Sequence, residues 1–490
     1  MSVIPAEVDV VVAGSGAAGL AAAATLAAGG ATVAVFEKQR ALGGTSNFFR
    51  GTFAVESEMQ RERFVDYSRD EAFRNIMEYS HWIADARLVR AIVDESASTI
   101  AWLRAQGVEF TGELINMPRA PQTYHVVKGT GEAVVRALAA QAKSKGAQIV
   151  LETPVTSLSK ERGRITGVVV DAGGTVVEVA TKAVVIATGG YANNSEWIKK
   201  FTGYELGVNL FPWGNTGKMG DGIRMAWEAG AAEEGVRSLE MLRVGPVGPE
   251  FAMGCTDVEV VAAQPDLWVT ARGERFCDES VALYDTHSGN VNARFRSDGF
   301  TFSLFDESIV DRLLERGIDR SLGLLFMPGY QPMNFRKEIE AAVNGGSKEV
   351  FVAGSLEELG RMTGIDPVTL RATVGEYNDH CAKGRDKLFA KEPKFLRPLA
   401  GPKYYAVKAH TACLGTKGGI KINENMEVLD KQSAVIPGLY AGGFDAGGMY
   451  GDSYPIRVSS GLSSAFALNS GRIAGRNALR HLKGRAGCAS

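Results

Sequence analysis

Cysteine and histidine are scarce in this chain, and long apolar runs are missing. Five cysteines (Cys255, Cys277, Cys381, Cys413 and Cys488) are scattered over 490 residues and form no Cys-x-x-Cys pair. That spacing suggests neither a disulfide framework nor a structural zinc site, and no metal is expected. Haem-attachment and iron–sulfur spacings are also missing, so any electron transfer by this chain would need an external donor or acceptor. Cysteine usage of this kind points to the reduced cytoplasm. No apolar run reaches membrane-spanning length. A strand begins by Val8, so no signal peptide is expected. Neither charge sign is in excess: 54 basic residues face 56 acidic ones, for a net charge of -2. Binding to nucleic acid or to an anionic membrane surface has no electrostatic basis here. Proline is low at 16 while glycine is high at 58, which suits an α/β fold with many tight turns. The length allows two or more domains, each with its own core.

The most informative segment lies at the start. An apolar strand (Val8-Asp9-Val10-Val11-Val12-Ala13) runs into Gly14-Ser15-Gly16-Ala17-Ala18-Gly19 and then into an alanine-rich helix. Gly14 permits the tight turn, Gly16 lets backbone approach a pyrophosphate, and Gly19 lets helix and strand pack closely. The helix N-terminus offers amide N–H groups and a positive dipole end to phosphate. A second strand, Ala31 to Phe36, ends at Glu37, whose carboxylate suits two ribose hydroxyls. This context predicts dinucleotide binding. Further on stand the small segment Gly43-Gly44-Thr45-Ser46 and a hairpin, Gly167 to Val179, turning at Ala172-Gly173-Gly174. A buried strand then ends in Ala187-Thr188-Gly189-Gly190, and Gly220-Asp221-Gly222 opens another helix.

In these segments the chain resembles the fumarate reductase and 3-ketosteroid dehydrogenase superfamily of FAD flavoproteins. Glu37-Lys38, Gly43-Gly44, Ala187-Thr188-Gly189-Gly190 and Gly220-Asp221-Gly222 stand where that superfamily has its flavin signatures. The resemblance implies an α/β, two-dinucleotide-binding-domain (Rossmann-like) FAD fold with an inserted α+β cap domain. The FAD-binding domain is expected over 1–235 and 404–490, and the cap over 236–403. Implied flavin contacts are Gly14, Gly16, Ala17, Ala18, Gly19, Glu37, Lys38, Gly43, Gly44, Thr45, Ser46, Val155, Ala187, Thr188, Gly189, Asp221, Gly443, Ser460 and Leu462. One branch attaches its flavin to a histidine. Residues 43–50 contain none, so the FAD is expected to be bound non-covalently. A closing helix from Gly461 should point its N-terminus at the flavin's pyrimidine end.

Hydride exchange at flavin N5 with a substrate carbon requires a proton at the neighbouring carbon and a group that stabilises developing charge. Gly451-Asp452-Ser453-Tyr454-Pro455 fits the ketosteroid dehydrogenase pattern and implies Tyr454 as acid/base, with its phenolate favoured. Gly415-Thr416-Lys417-Gly418-Gly419 is similar to the same branch. The fumarate reductase branch has a histidine in place of Gly415; here His410 stands five residues earlier. The run Gly273-Glu274-Arg275-Phe276-Cys277-Asp278-Glu279 is shared by both branches, and Tyr284 matches an active-site tyrosine of ketosteroid dehydrogenases. Where fumarate reductases place a proton-donating arginine, this chain has Asn290, with Arg294 four residues on. Val458 replaces the ketosteroid dehydrogenase glycine. Arg457 has no counterpart there and suits a carboxylate, or else pairs with Asp452. Tyr124 and His125 occupy a polar loop suited to lining a cleft; His287 and His410 read first as structural.

The leading expectation is a CH–CH oxidoreductase acting next to a carbonyl, on an enone or cyclic ketone, with Tyr454 as acid/base assisted by Tyr284. The alternative is a reductase of an unsaturated carboxylate anchored by Arg457 and Arg294. A third reading is a non-catalytic flavin-binding redox sensor. The substrate is a small molecule in the first two. Oligomeric state and physiological direction are not legible.

Overall fold

A computed structural model describes residues 4–115, 120–214, 217–251, 256–283, 285–320 and 326–487. It contains two compact units: residues 1–203, 214–240 and 414–490 form the first, and residues 204–213 and 241–413 the second. Among the described residues, no helix is long and apolar enough to cross a membrane.

The first unit is built on an eight-stranded sheet. Its strands are β1 (Glu7–Ala13), β2 (Val33–Phe36), β3 (Gln148–Val150), β4 (Val155–Glu161), β5 (Arg164–Ala172), β6 (Thr175–Ile186), β7 (Glu427–Leu429) and β8 (Val435–Ala441). The order β7-β8-β6-β1-β2-β3 is parallel from β8 to β3, while β4 and β5 attach to β6 as an antiparallel extension. Val10, Val11 and Val12 are fully buried, as a parallel strand covered on both faces requires. In register, Val12 lies between Val35 and Val185, so three chain segments end together at one edge. Ligands of open parallel sheets bind outside that carboxyl edge. The expected hairpin is present: Ala172 pairs with Thr175 across Gly173 and Gly174, whose φ values of 64° and 93° match the left-handed turn residues of a tight hairpin.

Helix α1 (Ala17–Ala28) is alanine-rich, and ten of its residues are buried. Small side chains let it lie between β1 and the closing helix, Leu462–Gly487. A Cβ on Gly471 would sit 2.1 Å from the Ala18 carbonyl oxygen, so that crossing tolerates nothing larger than glycine.

The second unit carries a largely antiparallel sheet. The long strand Tyr404–Thr416 pairs antiparallel with Thr301–Asp306 and with Val350–Ala353. Phe211–Pro212 adds a parallel pairing at Ala412–Cys413, which draws 204–213 into this unit. Phe305 stacks on Tyr405 (ring centroids 5.4 Å) and Phe335 meets both in the core. Two of its helices start on side-chain caps. Ser355 receives the Glu358 N–H, and Asp366 receives the Thr369 N–H with Pro367 at the first helical position.

Candidate active site

The dinucleotide cradle lies within the first unit. Gly14 adopts φ 101°, and a Cβ there would meet the Ala187 oxygen at 2.3 Å. A Cβ on Gly19 would meet the Gly14 oxygen at 2.0 Å. The protein's own packing therefore demands both glycines. Gly16 is different. Its φ of -67° suits any residue, and its nearest neighbour to an added Cβ is Ser46 Oγ at an ordinary 3.4 Å. Nothing in the polypeptide requires glycine there. A Cβ would instead fill the space in front of the α1 N-terminus, where a pyrophosphate belongs, so the residues fit the group.

Glu37 does more than wait for a ribose. Its carboxylate accepts the Ser15 N–H (3.0 Å), the Ser15 hydroxyl (2.6 Å) and the Gln39 N–H (2.9 Å), and so braces the glycine turn. Ser15 Oγ in turn accepts the Gly43 N–H, while Ser46 Oγ accepts the Ala17 N–H at 2.9 Å. The short turn Gly44–Asn47, with Thr45 and Ser46, thereby closes over α1. Val155 follows Thr153, whose N–H donates to the Glu37 carbonyl. Lys38 and Asp221 pair with one another at the surface of the unit. Gly443 lies over Ala18, and Ser460 and Leu462 are buried at the entry to the closing helix.

Asp445, which the sequence reading did not single out, holds the Thr188-Gly189-Gly190 turn. Its buried carboxylate accepts the N–H groups of Thr188, Gly189 (3.0 Å) and Gly190 (3.0 Å), and also the Thr188 hydroxyl (3.0 Å).

Tyr454 lies in the loop before the closing helix and is 3% exposed. The Ser463 N–H, in the first turn of that helix, donates to its Oη at 3.3 Å. Beneath it sits an ion pair. Lys417 Nζ contacts Glu240 and donates to Ser463 Oγ, while Ser463 Oγ donates to Glu240 Oε2 at 3.1 Å. The Lys417 ammonium also lies 4.0 Å from the Phe444 ring centroid and 4.9 Å from that of Tyr454. Burial, then the Glu240 charge, pushes the Tyr454 phenol well above its ordinary range, against backbone N–H groups of Ser463 and Gly461. The environment therefore keeps a neutral phenol, where the sequence reading expected a phenolate. Tyr124 packs beside it. A Cβ on Gly461 would come within 2.6 Å of the Tyr124 ring.

The expected arginine anchors are placed differently. Arg457 is exposed, near Asp452 and the half-buried Tyr79. Burial raises the Tyr79 phenol and Asp452 adds to it, while the Ser453 hydrogen bond and Arg457 oppose. Arg294, in the second unit, is also exposed, with its guanidinium 5.9 Å from the neighbouring Phe295 ring. Tyr284 lies outside the described residues. The Arg275 run is structural: Arg275 binds Glu279 bidentately (2.9 and 2.8 Å) and also Asp386, all buried. His410 is held by Glu349 at 2.6 Å and packs edge-on to Phe211. His125 donates from Nδ1 to the Thr123 carbonyl, so its Nε2 accepts from Ser57 at 2.7 Å. Burial pulls its pKa down to about 4, which leaves it neutral and structural at physiological pH.

A protein family described as the FAD binding domain matches residues 9–457. The chain belongs to this FAD-binding family. The protein is therefore an FAD-binding oxidoreductase, and the cradle built on Gly14, Gly16 and Glu37 fits that cofactor. It is 35% identical over 482 residues to the vinyl phenol reductase of Lactiplantibacillus plantarum, covering 96% of each chain. It is 28% identical over 487 residues to a cytochrome-type fumarate reductase of Shewanella frigidimarina, covering 97% of this chain and 78% of that one. The fold is shared with a 3-ketosteroid delta1-dehydrogenase from Sterolibacterium denitrificans. There the TM-score is 0.81 at 19% identity, covering 97% of this chain and all of the other.

Proposed function

We propose that this FAD-binding protein reduces a carbon–carbon double bond conjugated to a neutral oxygen-bearing group, as in an alkenyl phenol or an enone. One observation carries the reading. Tyr454, the residue proposed here as acid/base, is a phenol buried at a helix N-terminus, whereas both arginines suited to a carboxylate, Arg457 and Arg294, are exposed. The likeness to a vinyl phenol reductase supports the same class.

FAD held in the Gly14–Gly19 and Glu37 cradle would supply the hydride. Tyr454 supplies the proton from its O–H to the adjacent carbon. The Ser463 N–H, already on the phenol oxygen, stabilises the charge left there, as does the positive end of the closing helix. The flavin is held without a covalent bond, and an external donor returns the electrons.

The test is anaerobic. Holoenzyme is photoreduced and offered para-vinylphenol, a dienone steroid and fumarate separately, and the return of flavin absorbance is followed. Reoxidation by para-vinylphenol or the steroid is expected; reoxidation by fumarate alone would overturn the reading. In the same assay Arg457→Ala is expected to stay within about threefold of the parent kcat/KM, because an exposed side chain contributes little to transition-state binding. A loss of about 100-fold or more would restore Arg457 as an anchor.

A further inference from the structure

We propose that Lys417, Glu240 and Ser463 form one positioning unit that holds Tyr454 as an aligned, protonated acid. The inference rests on the proton-donor reading of Tyr454 given above and adds three residues that do not themselves touch the reacting carbons.

The geometry is a closed arrangement drawn from three distant parts of the chain. Glu240 comes from the strand Leu239–Val244, Lys417 from the turn after Tyr404–Thr416, and Tyr454 and Ser463 from the loop before the closing helix and that helix's first turn. Ser463 is gripped twice. Lys417 donates to its hydroxyl, which obliges that hydroxyl to turn its own proton to Glu240. With the side chain fixed, the Ser463 backbone N–H stays aimed at the Tyr454 oxygen. That oxygen is then an acceptor for the helix, and its proton is left to point elsewhere.

Stability alone does not account for the pair. The Lys417 side chain is fully buried and that of Glu240 nearly so. A buried ion pair is often no more stabilising than apolar residues of equal volume. Here it is surrounded by the rings of Phe444, Tyr450 and Tyr454, with Lys417 4.0, 5.2 and 4.9 Å from their centroids. The groups that face the Tyr454 phenol are Glu240, Lys417, Tyr450 and Tyr124. Of these only Glu240 and Lys417 carry charge at neutral pH, with opposite signs. Removing one should therefore move the phenol in a direction that depends on which is removed.

The experiment titrates Tyr454 itself, by ultraviolet difference between each holoenzyme and its Tyr454→Phe counterpart, without substrate. Glu240→Gln leaves the Lys417 charge beside the ring and is expected to lower the phenol's midpoint by at least about one pH unit, a tenfold change in proton affinity. Lys417→Met is expected not to lower it. The charge-neutral double variant, Glu240→Gln with Lys417→Met, should lie between Glu240→Gln and the parent. It also guards against misfolding caused by one unpaired buried charge, with flavin content as the check. In para-vinylphenol reduction, Lys417→Met should lose about 10-fold or more in kcat with KM little changed, the pattern of a disturbed proton donor. Identical phenol titration in the parent and all three variants would overturn the proposal, as would a Glu240→Gln shift to higher pH. Because the titration needs no turnover, failure of every offered substrate would remove the substrate reading and leave this one standing.

Discussion

Tyr454→Phe is expected to lower turnover of the double-bond substrate by about 10²–10⁴-fold while leaving the protein yellow and folded. The substitution deletes one oxygen and keeps the ring. The edge-on contact with Tyr450 (5.8 Å) and the Lys417 ammonium over the ring both survive. The Ser463 N–H loses its acceptor, but it lies in the first turn of a helix, where unpaired N–H groups are ordinary. The loss should fall on kcat, because the proton is transferred in the chemical step and contributes little to initial binding. Anaerobic single-turnover reoxidation of the reduced flavin measures it directly. Near-parental rates would show that the proton comes from elsewhere.

Asp445→Ala should do the opposite, removing the flavin before any question of rate arises. The carboxylate receives four donors from Thr188, Gly189 and Gly190 in a fully buried site. Each buried donor left unpaired costs about 1–3 kcal/mol. Four of them approach the whole stability of a typical domain, about 5–15 kcal/mol. The expected protein is colourless, with a lower urea midpoint and low yield. Asp445→Asn can still accept on one oxygen but turns two donors toward donors, so it should lie much nearer Ala than the parent. Flavin-to-protein ratio and denaturant midpoint are the measurements. Full flavin content with an unchanged midpoint would remove the role assigned to Asp445.

These two residues show what sequence can and cannot carry. The glycine turn, α1 and the strands β1, β2 and β6 were legible because their signals are local. Valine runs, alanine helix propensity and glycines at fixed offsets need no distant partner. Tyr454 was legible through a short motif. Asp445 was not. It sits in a short turn, Gly443–Asp445, where an acidic residue reads as solvated, and only the pairing of β6 with β8 brings it to Thr188. Glu240 and Lys417 are ordinary charges on a strand and a turn until the fold buries them against each other. The orientation of Arg457 was equally hidden. A loop has no periodicity, so nothing in Tyr454-Pro455-Ile456-Arg457 tells which side chain turns inward. The expected phenolate failed for a related reason: burial sets the phenol's protonation, and burial is a tertiary property.

The crossing of α1 with the closing helix also bears on how the protein is made. α1 lies near the start of the chain, and its partner surface, Gly471 and Gly475, lies near the end. The strand β8, which carries Asp445 to the Thr188–Gly190 turn, comes almost as late. A nascent chain leaving the ribosome therefore leaves the face of α1 that meets Gly471 and Gly475 uncovered until segment 414–490 emerges. Flavin capture that depends on Asp445 must wait for that segment, and the interval before it is when the chain most needs chaperone protection.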